Sequence, residues 1–278
     1  VFRYTRRTLI REIIIVLVSL GMLLPFYMLL VTSTKSDSQT LTTSPMSLAG
    51  HPSFHNFVVA WDAPGQENLA SGMINSAIIT IGSVIVLIFL GSLAAYAISR
   101  KKGRLSTAAY LLFVVGIILP FQLGLIPAYT VLRSAGLVGK PLGLILLYSG
   151  LLMPLSVFLY TGFARAMPRD YEEAAYIDGA GPFRTFVRII FPLLSPATGT
   201  VAILCGLIIW NDFFVQLIFL SGSNSSTLPV VIYTYVGALA ARWNVIFAAV
   251  IISMIPILAL YLVAQRKFIQ GFAGGIKA

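Results

Sequence analysis

Six apolar runs divide the chain, and the polar segments between them carry most of its charge. A helix needs about 20 residues to cross the hydrocarbon of a bilayer. On that length the runs predict six transmembrane helices at about 11–32, 73–99, 106–127, 141–163, 189–220 and 245–265. The third run holds Pro120 and ends near Pro127. Proline inside a membrane helix kinks it and frees a carbonyl, either as a hinge or as a static bend. The fifth run, Ile189–Leu220, is too long for one crossing. At about 1.5 Å per residue it would extend roughly 48 Å, against a hydrocarbon core near 30 Å. Its first turns are therefore expected outside the hydrocarbon, broken by Pro192 and Pro196. The pattern predicts an all-α integral membrane protein, with 1–278 forming a single transmembrane domain.

The polar stretch before the fifth run has its own start and stop signals. Pro168 fixes a φ suited to a helix start. Asp170, Glu172 and Glu173 follow, where negative charge complements the dipole of a first turn. Ala174 and Ala175 form helix with little bulk, Gly179 offers a stop, and Pro182 restarts a helix. The reading is two short helices around a sharp turn, outside the membrane, small enough in side chain for a partner to approach. Spacing alone fits an ordinary amphipathic loop equally well.

Composition and charge settle the class. The chain is 58% hydrophobic and 10% charged, where a soluble domain carries about 25% charged residues. Of 19 Lys and Arg, only Lys35, Arg133, Lys140 and Arg242 fall on one side of the six runs, leaving fifteen on the other. The positive-inside rule then places both termini and the 165–188 loop in the cytoplasm. The first run follows Arg3, Arg6, Arg7 and Arg11 as a signal peptide would, but its length reads as an uncleaved span. The net charge of +10 collects at run ends without aromatic interleaving, so nucleic acid is not the expected partner.

Little in the chain points to chemistry of its own. The lone Cys205 lies in an apolar run, excludes an internal disulfide and reads as a packed hydrophobe. His51 and His55 flank Pro52 in an external loop and read as solvated, so no metal site is expected. No Gly-x-x-x-x-Gly-Lys-Ser/Thr loop is present, and no catalytic constellation. The chain is not expected to be an enzyme or to bind ATP itself. Asp212, beside Asn211, is the only acid well inside a run. A carboxylate there is either part of a solute pathway or a structural partner of a neighbouring helix near the outer interface.

The stretch Glu173-Ala174-Ala175, Gly179, Ile189, Phe191-Pro192 resembles the signature cytoplasmic loop of permease subunits of binding-protein-dependent ABC importers, with Phe191 where the family has Leu. Ile177-Asp178-Gly179-Ala180 resembles its carbohydrate branch, the maltose-type group, and in particular the shorter of the two permeases. Further similarity lies at 54–57, Asn75-Ser76, 94–100, 126–129, Trp210-Asn211-Asp212 and the glycine-containing tail 270–277. The family often has Asn-Thr where this chain has Gly139-Lys140. The resemblance implies a permease for di- or oligosaccharides in a prokaryotic cell membrane. Its implied partners are a second permease, two ATPase subunits that hold ATP and Mg, and an external solute-binding protein. The ATPase-coupling loop would then comprise Glu172, Glu173, Ala174, Ala175, Asp178, Gly179 and Pro192, with Asn211 and Asp212 as pathway candidates. Two other readings stay open: a permease for amino acids, peptides or phosphorylated polyols, and an ion-coupled transporter. A third is a membrane scaffold with no solute at all.

Overall fold

The computed structural model describes residues 5–62, 68–238 and 242–275, and every regular element among them is helical. Of the basic residues counted toward the cytoplasm, Arg3 and Lys277 lie outside the described residues, as does the end of the glycine-containing tail.

Helix α1 spans Arg6–Ser33 and is capped by the Thr5 side chain, which accepts from the Thr8 N–H. A short α2 (Asp37–Thr42) starts with a reciprocal box in which Ser36 and Gln39 each satisfy the other's backbone N–H. Helix α3 is His55–Trp61, α4 is Leu69–Arg100, and α5 is Arg104–Ile118.

At this point the structure corrects the expected third span. The helix ends at Ile118, because Pro120 drives Leu119 into an extended conformation. A 3-10 turn, Phe121–Gly124, leads into α6 (Leu125–Ser134), and the chain axis bends by 97°. Pro127 sits harmlessly in the first turn of α6.

Helix α7 runs Pro141–Ala166 with proline at its first position. Its N-cap, Lys140, makes no side-chain cap. Gly139 instead takes a left-handed φ of 79° and donates its N–H to the Phe219 carbonyl at 2.8 Å.

After α8 (Asp170–Ile177) and α9 (Pro182–Thr185) comes a π turn, Phe186–Ile190, and the single turn α10 (Phe191–Leu193). Pro192 cannot donate a backbone hydrogen bond, and the Phe191 N–H reaches back five residues to Phe186. The fifth run is thus not one continuous helix over 189–220. The helical pair Pro182–Leu193 and Ser195–Asn211 bends by 72° where Pro196 interrupts the ladder, and a second break falls at Asp212. Helices α11 (Ser195–Asn211), α12 (Phe214–Leu220), α13 (Leu228–Ala238) and α14 (Trp243–Gly275) complete the order.

Among the described residues, α1, α4 and α7 are each long and apolar enough to cross a membrane, and the two bent pairs raise that number to five. The apolar part of α14, Trp243–Ala259, is shorter.

The chain forms two compact units, Val1–Leu69 with Val231–Ile255, and Ala70–Val230 with Pro256–Ala278. In the first, Lys35 is buried at 1% exposure. Its ammonium spends all three N–H groups on Thr43 Oγ1, the Ser44 carbonyl and Ser47 Oγ, at 2.7–3.1 Å. A buried cation without such bonds would shed its proton or unfold the loop. Asn56 and Asn244 both donate to the Lys35 carbonyl, tying α3 and α14 to the same turn.

In the second unit, α4 and α7 meet through small residues. A Cβ at Gly91 would lie 2.1 Å from Ser156 Oγ, and one at Gly82 would lie 2.7 Å from Ile145 Cδ1. Ser156 uses that closeness to donate to the Leu87 carbonyl at 2.9 Å. Tyr160, Ile190, Leu194 and Ile209 fill the adjoining core. Asn75 and Ser76, at the start of α4, hold the loop before α13 through the Ser226 carbonyl and the Leu228 N–H.

Candidate functional site

Two places carry polar groups that packing alone does not require. The first is the turn between α8 and α9. Helix α8 has Asp170, Glu172 and Glu173 in its first turn and ends on a left-handed glycine, Gly179, at φ 75°. The Ala180 N–H returns to the Ala175 carbonyl at 2.9 Å and the Gly179 N–H to the Tyr176 carbonyl at 3.0 Å. This pair of bonds closes the helix and turns the chain sharply toward Pro182.

The two faces of α8 differ. Glu172 points inward and pairs with Arg100 at the end of α4, Nε to Oε1 at 2.5 Å. Arg100 also donates to the Met167 carbonyl at 3.3 Å, and Arg169 donates to the Arg100 carbonyl at 3.1 Å. Ala175 is buried on this face, whereas Glu173, Ala174 and Asp178 are exposed.

The outward side sets apolar side chains among these exposed acids. Tyr176 is 81% exposed, Ile177 83% and Phe183 65%. Beside them a cavity of about 590 Å³ is lined by Tyr96, Glu172, Tyr176, Gly179, Pro182 and Thr185. An anchored, rigid turn that presents apolar side chains to water is the expected form of a docking surface for another protein. Pro192 lies apart from it, exposed on α10 beyond the π turn.

The second place is the break at Asp212. Its Oδ1 accepts from the N–H groups of Phe214 and Val215, at 3.0 and 3.4 Å, and so caps α12. Its Oδ2 accepts the Tyr148 hydroxyl of α7 at 2.7 Å. Gln216 is buried and donates to the Ile209 carbonyl at 2.7 Å, satisfying one of the groups the break exposes. It accepts in turn from the buried Thr227 hydroxyl. Asn211 is exposed and donates to the Leu207 carbonyl at 2.8 Å.

Comparison with known proteins places this architecture. Residues 87–273 match the family described as the binding-protein-dependent transport system inner membrane component, and that match takes in both sites. The chain belongs to this family.

The permease is 36% identical over 272 residues to the melibiose/raffinose/stachyose import permease protein MelC of Bacillus subtilis, covering 98% of this chain and 97% of that one. It is 34% identical to the probable starch degradation products transport system permease protein AmyC of Thermoanaerobacterium thermosulfurigenes, covering 94% of each. Its fold matches a chain in the crystal structure of a bacterial ABC transporter for import of the acidic polysaccharide alginate. The TM-score is 0.83, at 20% identity, over 96% of this chain and all of that one. The permease is therefore an inner-membrane protein of prokaryotic type, and its relatives are transporter subunits rather than enzymes.

Of the loop residues predicted from sequence, the structure brings Glu172 through Gly179 together on one helix and its cap, and leaves Pro192 outside. Sequence reasoning missed Arg100, Tyr176 and Phe183 at the loop, and Tyr148 and Gln216 at the break, and it read Ile177 only as part of the resemblance, not as an exposed contact residue. The signal for the loop residues was there: apolar side chains set among acids in a segment with no membrane to bury them.

Proposed function

We propose that this permease is one half of the membrane pathway of an ATP-driven importer for di- or oligosaccharides, of the maltose type. The observation that carries the reading is the α8–α9 turn, anchored inward by Glu172 on Arg100 and offering Tyr176, Ile177 and Phe183 outward. The names of relatives that cover nearly the whole chain support the solute class: melibiose, raffinose, stachyose and starch degradation products.

In this reading the turn docks on a cytoplasmic ATPase, and Glu173, Ala174, Asp178 and Gly179 belong to the contact. Both termini are cytoplasmic, in line with fifteen of the 19 basic residues. Six crossings are made by α1, α4, the bent α5–α6 pair, α7, the α10–α12 segment and α14. ATP and Mg are held by two ATPase subunits, and this chain needs no cofactor. A second, related permease completes the channel, and an external solute-binding protein delivers the sugar.

The chain connects the two sites mechanically. From α9 the backbone continues through the π turn and α10 into α11, which ends at Asp212. Movement of the docked turn is therefore applied to the base of α11. The packed helices have discrete arrangements rather than a continuous range, so the displacement exchanges inward- and outward-facing states. Asn211 and Asp212 are the polar pair proposed for the pathway, with Asp212 also holding the break closed against α7.

The test is solute identity. Sugars of one to five units are presented to the cognate binding protein, and those that bind are then offered to cells with and without this permease. ATP-dependent uptake of a di- or oligosaccharide that is lost without the permease is expected. Uptake limited to amino acids, peptides or phosphorylated polyols, or driven by an ion gradient without ATP, would contradict the proposal.

A further inference from the structure

We propose that the groove between the end of α4 and the start of α5 is a binding site for one anionic phospholipid. A cavity of about 310 Å³ lies there, lined by Ala97, Ile98, Lys101, Lys102, Leu105, Ser106 and Ala109. Both lysines are exposed, and neither ammonium has an ion-pair partner among the described residues. The nearby Arg100 is already spent on Glu172. Lys101 and Lys102, two unneutralised cations, thus face the same small space as four apolar side chains.

That combination fits a molecule with an anionic head and an apolar body. The apolar part continues beyond the cavity. Leu105 and Leu112 stand seven residues apart on α5, at 86% and 73% exposure, and Leu119, 61% exposed, follows as the extended residue that ends the helix. A spacing of seven keeps Leu105 and Leu112 on nearly one side of the helix. Helix α5 buries none of its residues within the chain. An acyl chain lying on this stripe would start at the lysines and run into the hydrocarbon.

The groove is fixed rather than a loose loop. Ser106 Oγ donates to the Ile98 carbonyl at 2.6 Å, holding the start of α5 against α4. The first turn of α5 carries no acid, and its N-cap is Gly103, which has no side chain to compete for an incoming phosphate. Charge and stripe together favour a lipid over the acidic surface of a protein. A protein partner would meet the lysines but would have no reason to follow Leu105 to Leu112 along the helix. Basic pockets at the cytoplasmic ends of membrane helices are where anionic headgroups bind.

The experiment is native mass spectrometry of the detergent-purified permease, titrated with phosphatidylglycerol, phosphatidylcholine or inorganic phosphate. Lys101→Gln/Lys102→Gln is compared with Arg184→Gln/Arg188→Gln, which removes the same charge from the same end of the molecule but lines no part of the groove. Wild type is expected to retain one phosphatidylglycerol in preference to phosphatidylcholine. The lysine variant should weaken that binding roughly 10- to 30-fold, at about 1 kcal/mol per basic residue. The arginine variant should bind as wild type does. Leu112→Gln should also weaken retention while leaving phosphate binding unaffected. Equal losses in both charge variants would overturn the proposal, as would wild-type binding by the lysine variant. So would phosphate competing as well as the lipid, or loss of ATPase association in the lysine variant with lipid retention intact.

Discussion

The Tyr148 hydroxyl donates to the Asp212 carboxylate across 2.7 Å, joining the N-terminal third of α7 to the break between α11 and α12. The bond explains how an acid is tolerated in a largely apolar run. One oxygen is held by a phenol and the other by two backbone N–H groups, so the charge is met on both sides.

Tyr148→Phe removes one donor from a half-buried carboxylate, which costs about 1–3 kcal/mol when the group is left short of partners. The purified Tyr148→Phe permease should melt several degrees below wild type. Asp212→Asn keeps an acceptor for the cap but loses the charge. It should lower sugar uptake with little loss of assembled complex, and quantitative blotting beside uptake measures both. Uptake equal to wild type in Asp212→Asn would leave Asp212 as a helix cap alone.

Arg100 and Glu172 are predicted to act as one unit. Their side chains are only 13% and 20% exposed, so solvent screens the pair incompletely. Arg100→Ala and Glu172→Ala should each loosen α8 and lower ATPase retention, and the double variant should be little worse than either. A double-mutant cycle on retention gives the coupling, expected at about 0.5–3 kcal/mol for groups in direct contact. Additive losses would mean that the ion pair does not anchor the loop.

Much of the loop was legible in the sequence because its signals are local. Pro168, Gly179 and Pro182 signal a start, a stop and a restart, and in the structure α8 begins two residues after Pro168, the chain turns at Gly179 and α9 begins at Pro182. Arg100 was not legible as a partner, because it is 72 residues from Glu172 and only folding brings the two together. The bend at Pro120 was visible as a proline, but its 97° was not, since a proline within a membrane helix can also leave a mild kink. The break at Asp212 was hidden by the apolar residues on both sides. A hydropathy pattern averages over about 19 positions and cannot register two backbone bonds moved onto a carboxylate. Tyr148 and Gln216 were unreadable for the same reason: each is a single polar group in an apolar run, with its purpose supplied by another helix.

Orientation is open to direct labelling. In a Cys205→Ala background, a cysteine at position 184 should resist a membrane-impermeant maleimide in intact cells and react after permeabilisation. A cysteine at position 48, in the first loop expected to be external, should react in both. The reverse pattern would invert the topology and remove the loop from the cytoplasm.

The central claim is that the α8–α9 turn couples this permease to an ATPase. Gly179 holds that turn at φ 75°, where a residue with a Cβ is strained by roughly 1 kcal/mol and a β-branched one by more. No atom lies within 4 Å of an added Cβ there, so the fault in Gly179→Val is confined to the turn. The decisive measurement is ATP hydrolysis by the reconstituted complex, stimulated by sugar-loaded binding protein, with inserted permease quantified in the same vesicles. Gly179→Val should insert at near-normal amounts and lose most of the stimulation, and Glu173→Lys should lose less, because an exposed interface charge mainly alters encounter. Full stimulation in Gly179→Val at normal insertion would contradict the account, since the turn would then not transmit the ATPase cycle to the membrane helices.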